Sequence, residues 1–276
     1  MNSNLLNIMK SDMLISVVTV CYNAVNDIEK TIMSVLGQTY KNIEYIIIDG
    51  GSIDGTIDII NKYKEHISLF VSEPDKGIYD AMNKGLMKAN GQWINFMNAG
   101  DTFASNSVIS NIFGCNEGDL INYDVIYGDC IACISLGERY ASVKKTFWND
   151  KSIVPSKGFS HQSVFVRTEI AKLMPFNLKY KICADFDMMF RLYKTGHNFL
   201  YMNFAIAKYE VENGFSKKHA ALALKENAMI VGVESDLRFK CYYIFFIIKE
   251  NTRKVVCSFV KKFFPKIFNY IKMKRL

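Results

Sequence analysis

The first hundred residues constrain this chain most, because short apolar runs alternate there with helically patterned segments and each run ends in polar residues. Leu14 to Val20 is a β-branched run of the kind buried in a parallel sheet, and Ile28, Ile32, Val35 and Leu36 then share one helical face. Glu44 to Ile48, Leu69 to Val71 and Trp93 to Met97 read as further strands. Between them, Ile57, Ile60 and Tyr63, then Ile78, Ala81, Met82 and Leu86, mark helices. Repeated strand–helix–strand units imply a parallel sheet with right-handed crossovers. Asn26, with Glu29 three residues on, predicts a capping box at the first helix.

Open α/β sheets bind ligands at the carboxyl ends of their strands, and the polar residues cluster there. Thr19, Tyr22 and Asn23 follow the first strand; Asp49-Gly50-Gly51-Ser52, Asp54 and Thr56 the second; Glu73 to Asp80 the third; Asn98-Ala99-Gly100-Asp101 the fourth. Four successive strand ends with carboxylates and glycines suit a pocket better than a core. The middle, from about residue 104 to 184, is less regular, with short strand candidates at Val125 to Tyr127 and Ser163 to Val166. Phe186, Met189, Phe190 and Tyr193 then mark a helix with Asp185 at its first turn, where a carboxylate also serves as a cap.

These segments resemble the inverting family 2 glycosyltransferases. The likeness is carried by Val-Val-Thr-Val-Cys-Tyr-Asn-Ala, Ile-Asp-Gly-Gly-Ser-x-Asp-Gly-Thr, Ser-Glu-Pro-Asp-Lys-Gly-Ile-Tyr-Asp-Ala-Met-Asn-Lys-Gly and Phe-Met-Asn-Ala-Gly-Asp, then His161-Gln162-Ser163-Val164-Phe165 and Ala184-Asp185-Phe186-Asp187. It spans about residues 14 to 210. The resemblance implies the α/β fold called GT-A, that of nucleotide-diphospho-sugar transferases: a mostly parallel sheet flanked by helices, here followed by a C-terminal amphipathic helical tail. Residues 1–235 are read as that domain, with a donor half at 14–103 and an acceptor half at 104–235, and residues 236–276 as a tail on their own composition.

By the same resemblance, Thr19 and Asp49 are placed at the nucleotide base, where a carboxylate accepts the N3 hydrogen of uracil; the alternative for Asp49 is a cap on its own glycine loop. Tyr22, Asn23, Asp54, Lys76, Gly77, Asp80, Asn83, Asn98 and His161 complete the expected donor site. Asp80 is expected at sugar hydroxyls and Lys76 at phosphate, a solvated helix start being the other reading of Lys76. The family often carries Asp-x-Asp-Asp at the fourth strand end. Here only Asp101 remains a carboxylate, so it is the expected ligand of a divalent cation, Mn2+ or Mg2+, shared with the diphosphate. Asp185 aligns with the family's catalytic base, and Asp187, on another helical face, is the fallback. The reaction implied is inverting transfer from a nucleotide-sugar donor, a UDP-sugar foremost, to a hydroxyl of a glycan or polyprenyl-linked acceptor, in assembly of a surface polysaccharide such as capsule or O-antigen.

Charge and cysteine content narrow the partners. Of the formal +7, the stretch from Lys249 to Leu276 holds nine Lys or Arg against one acid, while the rest carries 25 against 26. The body is near neutral and has no basic stripe with stacking aromatics, which excludes nucleic acid as a partner. Beyond the apolar run Tyr242 to Ile248, too short to span a bilayer, Lys261, Lys262, Lys266 and Lys272 alternate with Phe, Ile and Tyr. That pattern predicts a basic amphipathic helix on an anionic membrane surface, a helix packed on the domain with solvated lysines being the alternative.

Seven scattered cysteines and no convincing export signal point to a reduced, cytoplasmic setting, peripheral on the inner face of the cell membrane. Cys130-x-x-Cys133 lacks the second ligand pair a zinc site needs. A nucleotidyltransferase or Rossmann dehydrogenase would want a glycine-rich phosphate loop after the first strand, and Thr19 to Ala24 contains no glycine. A catalytically inactive sugar-nucleotide or membrane-binding module is the remaining alternative.

Overall fold

The computed structural model describes residues 13–114, 120–134, 137–141, 160–210 and 218–263. The alternation read from the sequence is realised as β1 (Ile15–Cys21), α1 (Ile28–Leu36), β2 (Ile43–Asp49), α2 (Thr56–Lys62), β3 (Leu69–Ser72), α3 (Ile78–Lys88) and β4 (Trp93–Phe96). Then come β5 (Thr102–Phe103), α4 (Val108–Phe113), β6 (Val125–Ile134), β7 (Gly137–Ala141), β8 (Val164–Arg167), α5 (Thr168–Leu173), α6 (Ala184–Lys194), β9 (Phe199–Glu210), α7 (Ala220–Val231) and α8 (Leu237–Phe263).

All nine strands of the described residues join one sheet in the order β3-β2-β1-β4-β8-β6-β9-β5, with β7 paired to β6. From β3 to β4 every pair is parallel. β8 then runs antiparallel to β4, and antiparallel pairs recur beyond it. This reversal matters for function. It brings the beginning of β8, where His161 lies, to the same sheet edge as the end of β4, where Asn98 lies.

Helices cover both faces, which is why β1 and β2 are continuous apolar runs. Val18, Val20, Ile46, Ile48, Ile94 and Phe96 pack with Met82 and Leu86 of α3 and with Met188 and Leu192 of α6. The alternate residues Ile15, Val17, Tyr45, Ile47 and Trp93 pack with Ile28 and Ile32 of α1 and Ile109 of α4 on the other face.

The expected capping box does not form. The residue before α1 is Asp27, it makes no side-chain cap, and the Glu29 carboxylate instead accepts from the Tyr63 hydroxyl at 2.8 Å, tying α1 to the end of α2. Cys130 and Cys133 are both free thiols, three apart on β6 and so on opposite faces. Among the described residues no helix is long and apolar enough to cross a membrane. The lysine-rich stretch beyond residue 263 lies outside the described residues.

Candidate active site

The loop after β2 is organised by Asp49. Its carboxylate accepts from the backbone N–H of Gly51 (3.1 Å) and Ser52 (2.9 Å) and from the hydroxyls of Ser52 and Ser72. Burial works against its charge, but these bonds outweigh it and hold the carboxyl below the usual range. The side chain is wholly buried and caps its own loop, which favours the alternative reading given for it. Thr19 is wholly buried too, its hydroxyl donating to the Met97 carbonyl at 2.8 Å and paired with the Tyr45 hydroxyl at 3.1 Å. Both expected base contacts are thus part of the sheet's closed interior.

Asn23 and Asp54 fasten the first two loops together. Asn23 Oδ1 accepts from Ile53 N–H (3.1 Å), Asp54 Oδ2 from Val25 N–H (3.1 Å), and Asp54 Oδ1 from the N–H of Thr56 at the start of α2. Tyr22 stands out into solvent beside them. In the third loop, Asp80 caps the start of α3 by accepting from Lys76 N–H (3.0 Å), while the Lys76 side chain is exposed. Gly77 at that helix start has φ +117, in the left-handed region. Asn83 is tied to Phe176 at both ends of its amide, at 2.9 Å each, and so positions the segment leading to α6.

The fourth strand end meets the turn before β8 and the start of α6. Gly100 turns the chain at φ +102, the left-handed region that favours glycine, and Thr31 clamps that turn from α1 through Gly100 N–H and the Asp101 carbonyl. The Asp101 carboxylate accepts from Gln162 Nε2 at 2.6 Å. Burial pushes its pKa up to about 6, against the pull of the nearby His161 and of that hydrogen bond.

Asn98 Nδ2 and His161 Nε2 are 2.8 Å apart, and His161 Nδ1 lies 3.1 Å from Asp185 Oδ2. A carboxylate only accepts, so Nδ1 carries the proton and Asn98 donates to a neutral ring; in the doubly protonated ring, a flipped Asn98 amide would present Oδ1 instead. As placed, Asn98 Oδ1 is buried without a partner. Burial opposes a charge on His161, yet the hydrogen bond and charge of Asp185, with Asp101 adding, raise its pKa.

Asp185 is held from two further directions, and the segment that carries it by a third residue, Glu226. The Tyr79 hydroxyl shares its proton between the Ile182 carbonyl (2.6 Å) and Asp185 Oδ1 (3.0 Å), and burial keeps that phenol firmly protonated. Asp185 Oδ1 also accepts from Phe186 N–H. Glu226 of α7, buried, accepts from the N–H groups of Lys181, Ile182 and Cys183 at 2.8–3.0 Å, an anion set against the start of α6. Asp185 keeps about a quarter of its side chain accessible, at 23%. An apolar hollow that includes Phe96, Phe176, Met188 and Met189 lies against it and His161, lowering the local dielectric. Asp187 is the opposite case: buried, and paired with Arg191 at 2.8 Å. This pair braces α6 one helical turn along, between Asp187 and Arg191.

Sequence reasoning therefore found Asp101, His161 and Asp185, which the fold brings together, and missed their supports Tyr79, Gln162, Glu226 and Asn95. Asn95 is a lone amide in an apolar strand. It is wholly buried and donates to the Gln162 and Val164 carbonyls at 2.9 and 2.8 Å, pinning the His161 turn onto β4. That isolated polar residue was a legible signal; Glu226, 41 residues after Asp185, was not.

Among the described residues no group of three or more His, Cys, Asp or Glu side chains is placed to hold a metal ion. The donors present at the fourth strand end are the Asp101 carboxylate and the unpartnered Asn98 amide oxygen. Such oxygens suit a hard divalent cation that draws its remaining ligands from a bound diphosphate and water.

The likeness to known proteins agrees with this geometry. The chain is 29% identical over 188 residues to a PGL/p-HBAD biosynthesis glycosyltransferase of Mycobacterium bovis, covering 66% of this chain and 71% of that one. It is 31% identical over 178 residues to a glycosyltransferase of Haemophilus influenzae, covering 63% and 70%. Among solved structures, S. aureus TarS 1-349 in complex with UDP-GlcNAc superposes with a TM-score of 0.65 at 18% identity, covering 80% of this chain and 66% of that one. The mannosyltransferase PcManGT of Pyrobaculum calidifontis, in complex with GDP-Man and Mn2+, gives 0.58 at 16% identity, covering 78% of this chain and 62% of that one, less than two thirds of its length. These two likenesses concern the fold. The family model for glycosyl transferase family 2 matches residues 16–195, most of the sheet and every residue of the Asn98–His161–Asp185 chain, and the protein belongs to that family.

Proposed function

We propose that this glycosyltransferase moves a sugar from a nucleotide-diphosphate donor, a UDP-sugar foremost, to a hydroxyl of a glycan or lipid-linked acceptor, with inversion at the anomeric carbon. The observation that carries this reading is the continuous link from the fourth strand end to a partly accessible carboxylate: Asn98, His161, Asp185. The acceptor oxygen attacks the anomeric carbon from the face opposite the diphosphate. Its proton passes to Asp185 Oδ while the bond from carbon to the diphosphate oxygen breaks. His161 and Tyr79 fix the orientation of that carboxylate, and the apolar hollow behind it keeps water from diluting the charges. Mn2+ or Mg2+, held by Asp101 and the Asn98 amide oxygen, would supply neutralisation of the charge growing on the departing diphosphate.

Donor binding falls to the loops at residues 22–23, 50–56 and 73–80, with acceptor recognition in residues 104–235. Residues 236–276 act as a peripheral anchor on an anionic, cytoplasmic membrane face, where a polyprenyl-linked acceptor for capsule or O-antigen assembly would be presented. Leu237, Ile244, Phe245 and Ile248 of α8 are exposed, which favours this role. The test is hydrolysis and transfer by the purified protein with UDP-, GDP- and dTDP-sugars and Mn2+, beside Asp101→Asn and Asp185→Asn. Consumption of one donor, lost about a hundredfold or more in both variants, supports the reading; donor turnover indifferent to both substitutions refutes the assigned site. For the anchor, liposomes of anionic lipid should bind the full chain and release its Lys261→Glu/Lys262→Glu/Lys266→Glu variant.

A further inference from the structure

Asp49 and Thr19 are closed inside the sheet, while Asp75, in the loop after β3, is a partly exposed carboxylate at the same strand ends. We propose that Asp75 reads the nucleobase of the donor, its free oxygen accepting the ring N–H of uracil, thymine or guanine while the Tyr22 ring covers the base; this rests on the nucleotide-sugar reading above.

Three observations converge on it. A Cβ placed on Gly50 would stand 2.4 Å from Asp75 Oδ2 and 3.3 Å from Tyr22 Cδ2. The carboxylate after β3 and the aromatic ring after β1 therefore meet over Gly50, the first residue after β2. Gly50 is glycine because a larger residue would displace the Asp75 carboxylate. Asp75 is also oriented: its Oδ1 accepts from Gly77 N–H at 2.8 Å, while no donor among the described residues reaches Oδ2. Tyr22, finally, is 63% exposed, and a solvated aromatic face beside an unfilled acceptor matches the face and edge of a base.

The chemistry selects among bases. Uracil and thymine present N3–H, and guanine presents N1–H beside its amino group, so each gives a carboxylate a hydrogen to accept. Adenine and cytosine present an unprotonated ring nitrogen at that edge, whose lone pair repels it.

The test is calorimetric titration of the full chain with UDP, dTDP, GDP, ADP and CDP, and with the N3-methyl or N1-methyl form of whichever binds best. The wild type should prefer one of the first three over ADP and CDP. Asp75→Asn keeps an acceptor for Gly77 N–H. It should cost about ten- to a hundredfold in affinity for the preferred nucleotide, the size of one charge-assisted hydrogen bond, and nothing for the methylated analogue. Equal losses for the methylated and unmethylated nucleotide, or none for either, overturn the assignment and leave Asp75 a loop brace. A wild type that binds none of the five diphosphates fails the donor reading itself and takes this inference with it.

Discussion

His161 stands between the two halves of the site, its Nδ1 3.1 Å from Asp185 Oδ2 and its Nε2 turned to Asn98. The Asp185 carboxylate is thus oriented from the end of β4, and charge at one end of the Asn98–His161–Asp185 link is felt at the other.

This coupling predicts a pH signature. The folded pKa of His161 lies above its unfolded value of about 6.5, so the stability it contributes when protonated is complete below that value and falls as pH rises through the raised one. The gap in melting temperature between wild type and His161→Gln should therefore be widest near about pH 5.5 and narrow by about pH 8.5. A gap independent of pH would show that the ring stays neutral.

Asp101 has the opposite sign. Its pKa rises from 3.8 to about 6 on folding, so the ionised form is a cost to the folded state that grows as pH climbs through that interval, to about 3 kcal/mol when complete. Asp101→Asn should melt higher than wild type at about pH 8, with the advantage shrinking toward about pH 4, while transfer is lost. Thermal scans across pH, set beside a donor assay, check both halves of the statement.

The two aspartates of α6 should separate cleanly. Asp185→Asn should lower kcat about a hundredfold or more with donor affinity little changed, and with little loss of stability at about pH 8, where the pair with His161 contributes least. Asp187→Asn breaks the pair with Arg191 and should cost about 2 kcal/mol of stability with kcat largely kept. Urea unfolding and steady-state rates on the same preparations decide it.

Glu226→Gln keeps the shape that meets the three N–H groups before α6 but removes the charge. About 1 kcal/mol of stability should go, and kcat should fall while the KM for donor holds, because the start of α6 carries Asp185 and not the donor loops. A rise in donor KM alone would contradict this division of labour.

What could be read from the sequence follows from how local each signal is. β1 to β4 and α1 to α3 announce themselves through periodicity over a few residues. Asp101, His161 and Asp185 stand out as polar residues at element ends. β5, β7 and β9 were not legible: β5 has two residues, and β9 shifts register against β6 around Asp129, which breaks any simple alternation. Asp49 was ambiguous because a strand-end carboxylate beside glycines fits a ligand contact and a loop cap equally. The Ser52 and Ser72 hydroxyls and its full burial favour the cap. Asp75 was overlooked within its motif, because its importance depends on the empty space at Gly50, 25 residues earlier.

The antiparallel pairing of β8 with β4 matches Trp93 to Arg167, Ile94 to Val166 and Asn95 to Phe165. The spacing between Asn98 and His161 is thus gauged by a ladder of three rungs. A one-residue slip there would carry His161 about 3.3 Å along the strand and turn its neighbours to the opposite face. A single bulge at this seam would then move His161 relative to Asn98 without altering either side chain.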